Sequence, residues 1–195
     1  MHAVTDSLIA RDPKTVDTAR RLPLTNRLAI HARGAELSGR ALCMLANAFR
    51  QARPEAPVFV NDRVDVAIVT GAHGVHLPET GLPIVEARYL VPPDVWVGRS
   101  VHHPRDADAA FNEGADYVFL GPIWETGSHT GMPALGVHAI KAVSGGPVIA
   151  IGGVTPARVP TCLSAGAYGV AAVSAFWHAA DPGSVAEAML LSFET

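Results

Sequence analysis

Short apolar runs recur along the chain at nearly even intervals. They include Val58-Phe59-Val60, Gly74-Val75-His76-Leu77, Val95-Trp96-Val97-Gly98, Tyr117-Val118-Phe119-Leu120, Val148-Ile149-Ala150-Ile151 and Gly169-Val170-Ala171-Ala172-Val173. Each has strand length, is rich in β-branched residues, and is nearly continuous rather than alternating. That is the pattern of a parallel strand buried on both faces. Two weaker runs, His2 to Thr5 and Leu28 to Ala32, extend the series toward the N-terminus. Helix-like segments lie between the runs. Glu36 to Ala52 carries Leu37, Ala41, Leu42, Leu45 and Phe49 near one face, and Pro54 and Pro57 end it. Pro104 to Glu113 stops at Gly114. Thr155-Pro156 and Asp181-Pro182 each read as a cap followed by a first-turn proline, with Pro160 disturbing the first of these helices or sitting in its opening turns.

Alternating strands and helices predict a parallel sheet with helices outside. About eight units of roughly 24 residues predict a closed (β/α)8 TIM barrel, one compact domain over residues 1–195. That is short for a barrel, so loops and helices must be brief. An open doubly wound sheet is the alternative. Hydrophobic residues make up 49% of the 195 and charged residues 17%, which excludes a disordered chain. The net charge of −3 argues against a nucleic-acid binder. Cys43 and Cys162 form neither a disulfide framework nor a thiolate zinc site. No signal peptide and no apolar stretch of bilayer length is readable, so a cytoplasmic protein with no membrane partner is expected.

In either architecture the chemistry belongs at the C-terminal ends of the strands. Asp6, Arg33, Asn61-Asp62-Arg63, Glu79, Ser100, His102, the loop Gly121 to Gly136, Gly152-Gly153 and Ser174 all follow apolar runs. Glycines after strand seven let backbone N–H groups approach an anion, and the loops after strands seven and eight often hold phosphate. A tight turn is the bland alternative for Gly152-Gly153. Asn61-Asp62 offers a ligand contact or, equally, a helix cap. The loop from Trp124 to Pro133 has the length and polarity of a lid, and its His129 suits proton transfer near neutral pH, against the alternative of a surface histidine. No HExxH, nucleophile elbow, Walker loop or Rossmann glycine pattern is present. Magnesium held through Asp62 and a substrate phosphate is the metal reading left open.

Taken in order, Ala3-Val4-Thr5-Asp6, Phe59-Val60-Asn61-Asp62-Arg63-Val64-Asp65, Gly71-Ala72-His73-Gly74-Val75-His76-Leu77, Val97-Gly98-Arg99-Ser100-Val101-His102, Gly114-Ala115-Asp116-Tyr117-Val118, Leu120-Gly121-Pro122-Ile123-Trp124, Ile149 to Pro156 and Gly166 to Ser174 carry a resemblance. The sequence resembles the thiamine phosphate synthase and TenI (thiazole tautomerase) superfamily nearly end to end. The resemblance implies a (β/α)8 barrel, a small-molecule thiazole phosphate ligand, cytoplasmic thiamine biosynthesis, and a phosphate cradle of Gly152, Gly153, Val173 and Ser174, with Gly121 beside it. A homo-oligomer is expected, since barrels of this family commonly associate.

Departures from the synthase pattern favour the TenI-like branch. The synthase branch has Gln-Leu-Arg-Glu-Lys after strand two, where this chain reads His31-Ala32-Arg33-Gly34-Ala35. It has a second magnesium aspartate where Gly81 stands, and a lysine in the strand-six loop where Ser128-His129-Thr130 offers none. Losing a metal carboxylate and two lysines removes charge that would hold a diphosphate. The leading expectation is therefore an isomerase, an aromatising thiazole tautomerase needing no cofactor. In it His129 moves the proton, replacing a histidine some TenI-like proteins place where this chain has Pro122. Ser100 and Asn61 orient the ring, and Arg33 holds the carboxylate or another anion. The alternatives are a thiamine phosphate synthase using Mg2+ and a non-catalytic thiazole-phosphate-binding regulatory protein.

Overall fold

The computed structural model describes residues 1–127 and 131–194. Eight parallel strands, in chain order, close into a barrel: β1 His2–Val4, β2 Ala29–Ala32, β3 Val58–Asn61, β4 Gly74–Leu77, β5 Trp96–Val101, β6 Tyr117–Leu120, β7 Val148–Ile151 and β8 Gly169–Ala172. The closing pair is β1 with β8, where His2 lies opposite Ala171. The closed barrel replaces the open-sheet alternative, and every residue of β2, β4, β6 and β8 is buried. That double burial is what the continuous apolar runs predict.

The outer layer begins with α1 Thr15–Arg20 and α2 Gly39–Ala52. The latter starts three residues later than the periodicity predicts, because the Ser38 hydroxyl caps it by accepting from the Ala41 amide at 3.2 Å. Leu42, Leu45, Ala46 and Phe49 face inward, and Phe49 stacks on Trp177 with ring centroids 5.9 Å apart. Then come α3 Val64–Thr70, α4 Ile84–Leu90 and α5 Pro104–Asn112, the last stopped by Gly114 at φ 99°. The chain saves length on its second half. Helix α6, His138–Lys141, and α8, Ser174–Trp177, are single turns. The segment after Thr155 splits into a 3-10 turn, Pro156–Arg158, and α7 Val159–Ser164, with Pro160 in its first turn. Helix α9, Pro182–Leu191, is capped by Asp181 as expected.

The barrel interior is packed with rings. Phe59, Tyr117, Phe119 and Ile149 join Val4, Ala29 and Ala171 in one buried cluster. His2, His31 and His76 are threaded among those rings, with His31 stacked on Phe59 at 4.8 Å. Two strand glycines make the space. A Cβ on Gly74 would lie 2.4 Å from the Phe59 ring, and one on Gly98 would lie 2.2 Å from Tyr117 Cζ. Side chains at those positions would expel the rings that fill the centre.

Candidate active site

A cavity of about 320 Å³ opens at the C-terminal ends of the strands. It has three parts. Gly152, Gly153 and Val154 after β7, with Val173 and Ser174 after β8, form one wall. Arg33, Asn61, His76 and Ser100 form the polar floor and opposite wall. Glu79, His102, Gly121 and Thr126 rim it.

The glycine wall is rigidly shaped. Gly152 and Gly153 sit at φ 92° and 67°, and added Cβ atoms would approach Pro122 Cα to 2.6 Å and Trp124 Cβ to 2.8 Å. Arg158 pins this wall: its Nη1 donates to the Gly153 carbonyl at 2.6 Å, and its guanidinium lies 4.8 Å over the Trp124 ring. The amides of Gly153 and Ser174 meet no acceptor among the described residues. Unpaired amides on adjacent strand ends are donors for an anion.

Polar hydrogen-bonded chains support the opposite wall. The Tyr117 hydroxyl lies 3.1 Å from His76 Nδ1, and His76 Nε2 lies 2.8 Å from Ser100 Oγ. His31 Nδ1 is 3.3 Å from Asn61 Oδ1, and His31 Nε2 is 2.9 Å from His2 Nδ1. With the Asn61 oxygen as acceptor, His31 donates through Nδ1 and takes the His2 Nδ1–H on Nε2. All three imidazoles are neutral. Burial pushes His31 down to about 3 and holds His2 and His76 well below the ordinary 6.5. Burial likewise raises the Tyr117 phenol well above 10, so it is a hydroxyl donor.

The loop carrying Glu79 is clamped from below by Arg99, which donates to the carbonyls of Pro78 (2.6 Å), Glu79 (3.1 Å) and Leu82 (2.6 Å). His102 hydrogen-bonds through Nδ1 with the Gly121 carbonyl, and its Nε2 stands 3.9 Å from the Glu79 carboxylate.

Of the residues singled out in the sequence, Arg33, Asn61, Ser100, Gly121, Gly152, Gly153, Val173 and Ser174 come together around the cavity. Asp62 is exposed at φ 67° and lies outside the lining. It does not cap α3 either; that helix begins after Arg63 with no side-chain cap. His129 falls outside the described residues. His2, His31, His76, Tyr117 and Phe119 have no role assigned from the sequence alone. Their signal is present: each histidine sits at an inward position of an apolar run, next to aromatic residues.

The thiamine monophosphate synthase family model matches residues 2–176. The chain belongs to this family. Among relatives, it is 40% identical to the thiamine-phosphate synthase of Methanoculleus marisnigri, over 97% of this chain and 92% of that one. It is 36% identical to the thiamine-phosphate synthase of Salinispora tropica, over 97% and 95%. Among solved structures, it superimposes on the thiamine phosphate pyrophosphorylase of Pyrococcus furiosus with a TM-score of 0.84 and 28% identity, covering 99% of this chain and 95% of that one.

These family members overturn the tautomerase expectation, and with it the isomerase assignment, because relatives similar over nearly the whole length are named synthases. The physical ground for that expectation was missing charge after β2, β4 and β6. Charge lost at single positions proves a weaker guide than likeness along the whole chain. No described helix is long and apolar enough to cross a membrane.

Proposed function

We propose that the protein is a thiamine phosphate synthase. It joins a hydroxymethylpyrimidine diphosphate to a thiazole phosphate and releases pyrophosphate. The observation that carries this reading is a single cavity with two unlike walls, one of unpaired amides and one of hydrogen-bonding side chains that include Arg33, in a chain whose relatives bear that name.

The thiazole phosphate sits on the glycine wall, its phosphate taking the amides of Gly153 and Ser174, with Gly152, Gly121 and Val173 shaping the space. The pyrimidine lies against Asn61 and Ser100. Its methylene–oxygen bond breaks, the thiazole ring nitrogen forms the new carbon–nitrogen bond, and the bond pair leaves with pyrophosphate. Arg33 is the cation nearest to hand for that charge, and a guanidinium matches phosphate oxygens bidentately. Departure of an anion from a site with one arginine rests on positioning more than on bulk charge.

Magnesium fits this site as a companion of the diphosphate. Among the described residues no group of three or more His, Cys, Asp or Glu is placed to hold a metal. Magnesium, however, commonly binds one or two carboxylates and completes its shell with substrate phosphate and water. Glu79 in the cavity rim and Asp62 at the end of β3 are the carboxylates that would hold it. When bound it would neutralise charge on the leaving pyrophosphate.

Mass spectrometry after mixing the protein with both substrates and magnesium tests the reading. A product mass equal to the coupled pyrimidine–thiazole phosphate is expected. Unchanged substrates with folded protein would sink it.

A further inference from the structure

The hydrogen-bond chain beneath Ser100 has a direction, and the direction begins at a residue that never meets the cavity. Tyr117 is fully buried on β6 and is absent from the cavity lining. Its hydroxyl has one partner among the described residues, His76 Nδ1 at 3.1 Å. Two arrangements are chemically open. In the first, Tyr117 donates to Nδ1, so the neutral His76 carries its proton on Nε2 and donates to Ser100 Oγ at 2.8 Å. The Ser100 hydrogen is then free to face the cavity. In the second, His76 donates from Nδ1 to Tyr117, and Ser100 spends its hydrogen on Nε2. That arrangement buries the Tyr117 hydroxyl hydrogen with no acceptor, which folded proteins avoid.

We propose that Tyr117 is a positioning residue: by donating to His76 Nδ1 it fixes the His76 tautomer and thereby makes Ser100 a hydrogen-bond donor toward the bound heterocycle. The wall then selects a ring that presents an unprotonated nitrogen or another acceptor at Ser100. Gly98 is part of the device, since a Cβ there would collide with the Tyr117 ring, which has to pass over β5 at Gly98 to reach His76 on β4. The ring stacking of His76 on Tyr117, with centroids 5.5 Å apart and planes 28° from parallel, keeps the two in line. The inference deepens the synthase reading and rests on it for the identity of the heterocycle.

Nitrogen-15 histidine NMR on the ligand-free protein tests the tautomer directly. His76 is expected to show a protonated Nε2 and an unprotonated Nδ1, and Tyr117→Phe is expected to convert it to a mixture or to the opposite form. A protonated Nδ1 in the unsubstituted protein, or an unaltered tautomer in Tyr117→Phe, would overturn the proposal. A double-mutant cycle adds a readout that a packing role would not move. Calorimetry with aminopyrimidine methyl monophosphate, which has no pyrophosphate to release, is expected to show about tenfold weaker binding for Tyr117→Phe, the size of one well-placed hydrogen bond. On a Ser100→Ala background the same substitution is expected to change binding less than about twofold. Equal losses on both backgrounds would overturn the proposal. If the probe binds no form of the protein, the NMR arm decides alone. The predicted tautomer together with no coupled product from the two substrates would leave the Tyr117 role standing and remove the synthase reading.

Discussion

His76 Nε2 lies 2.8 Å from Ser100 Oγ, and this contact joins the packed centre of the barrel to the floor of the cavity. Its consequence for stability is separable from its consequence for binding. His76→Phe keeps a ring in the centre but removes the acceptor of the Tyr117 hydroxyl. Leaving that hydroxyl unsatisfied costs about 1–3 kcal/mol. Urea unfolding should show His76→Phe destabilised in that range and the double variant with Tyr117→Phe partly restored. A double variant less stable than His76→Phe would contradict the pairing.

Acid should weaken the fold through the three interior imidazoles. Their unfolded values lie near 6.5, while burial holds His31 at about 3 and His2 and His76 well below 6.5 when folded. Between those limits the unfolded chain binds more protons, so stability rises with pH there. It is therefore intact above about pH 7 and lost as pH falls below the unfolded value, by about 1.4 kcal/mol per pH unit for each imidazole once the unfolded form is fully protonated. Urea midpoints at pH 5, 6, 7 and 8 check this. His31→Gln should flatten the slope, and an unchanged slope would show that other groups govern acid stability.

Arg99 is read as a structural clamp, not a substrate contact. It is nearly buried, and its guanidinium serves three carbonyls of the 78–82 segment. Arg99→Met should cost about 2–4 kcal/mol, because charge-assisted hydrogen bonds are lost together. Thermal unfolding measures it. A shift too small to resolve would mean the segment holds its shape unaided.

Gly153 combines a φ of 67° with a Cβ clearance of 2.8 Å to Trp124. Gly153→Ala should therefore strain the wall by about 1–2 kcal/mol and move the amide that faces the phosphate. Phosphorus NMR titration with thiazole phosphate should show affinity weakened at least tenfold, with the fold preserved by circular dichroism. Unaltered affinity would place the phosphate elsewhere.

The barrel was legible because its signals are local and repeated. Runs such as Tyr117 to Leu120 and Gly74 to Leu77 state their double burial directly, and Asp181-Pro182 and Gly114 mark helix ends by backbone chemistry. The start of α2 falls inside the predicted segment because Ser38, rather than the first residue of the apolar stripe, supplies the cap. The glycine wall could be read from residue order after strands seven and eight. The opposite wall could not. Tyr117, His76 and Ser100 are separated by up to 41 positions, and their relation depends on the register in which Gly98 pairs with Tyr117 and with His76. Asp62 illustrates the converse: its place in the motif does not announce that it turns through a positive φ and stands exposed beside the cavity lining rather than in it.

Pyrophosphate release is the most direct test of the central claim. The purified protein is given the pyrimidine diphosphate and magnesium, with and without thiazole phosphate, and pyrophosphate is counted against coupled product. The synthase account predicts release in a one-to-one ratio with product, dependent on thiazole phosphate, and reduced at least tenfold by Arg33→Gln. Absence of release from folded protein, or release that ignores thiazole phosphate, would contradict it.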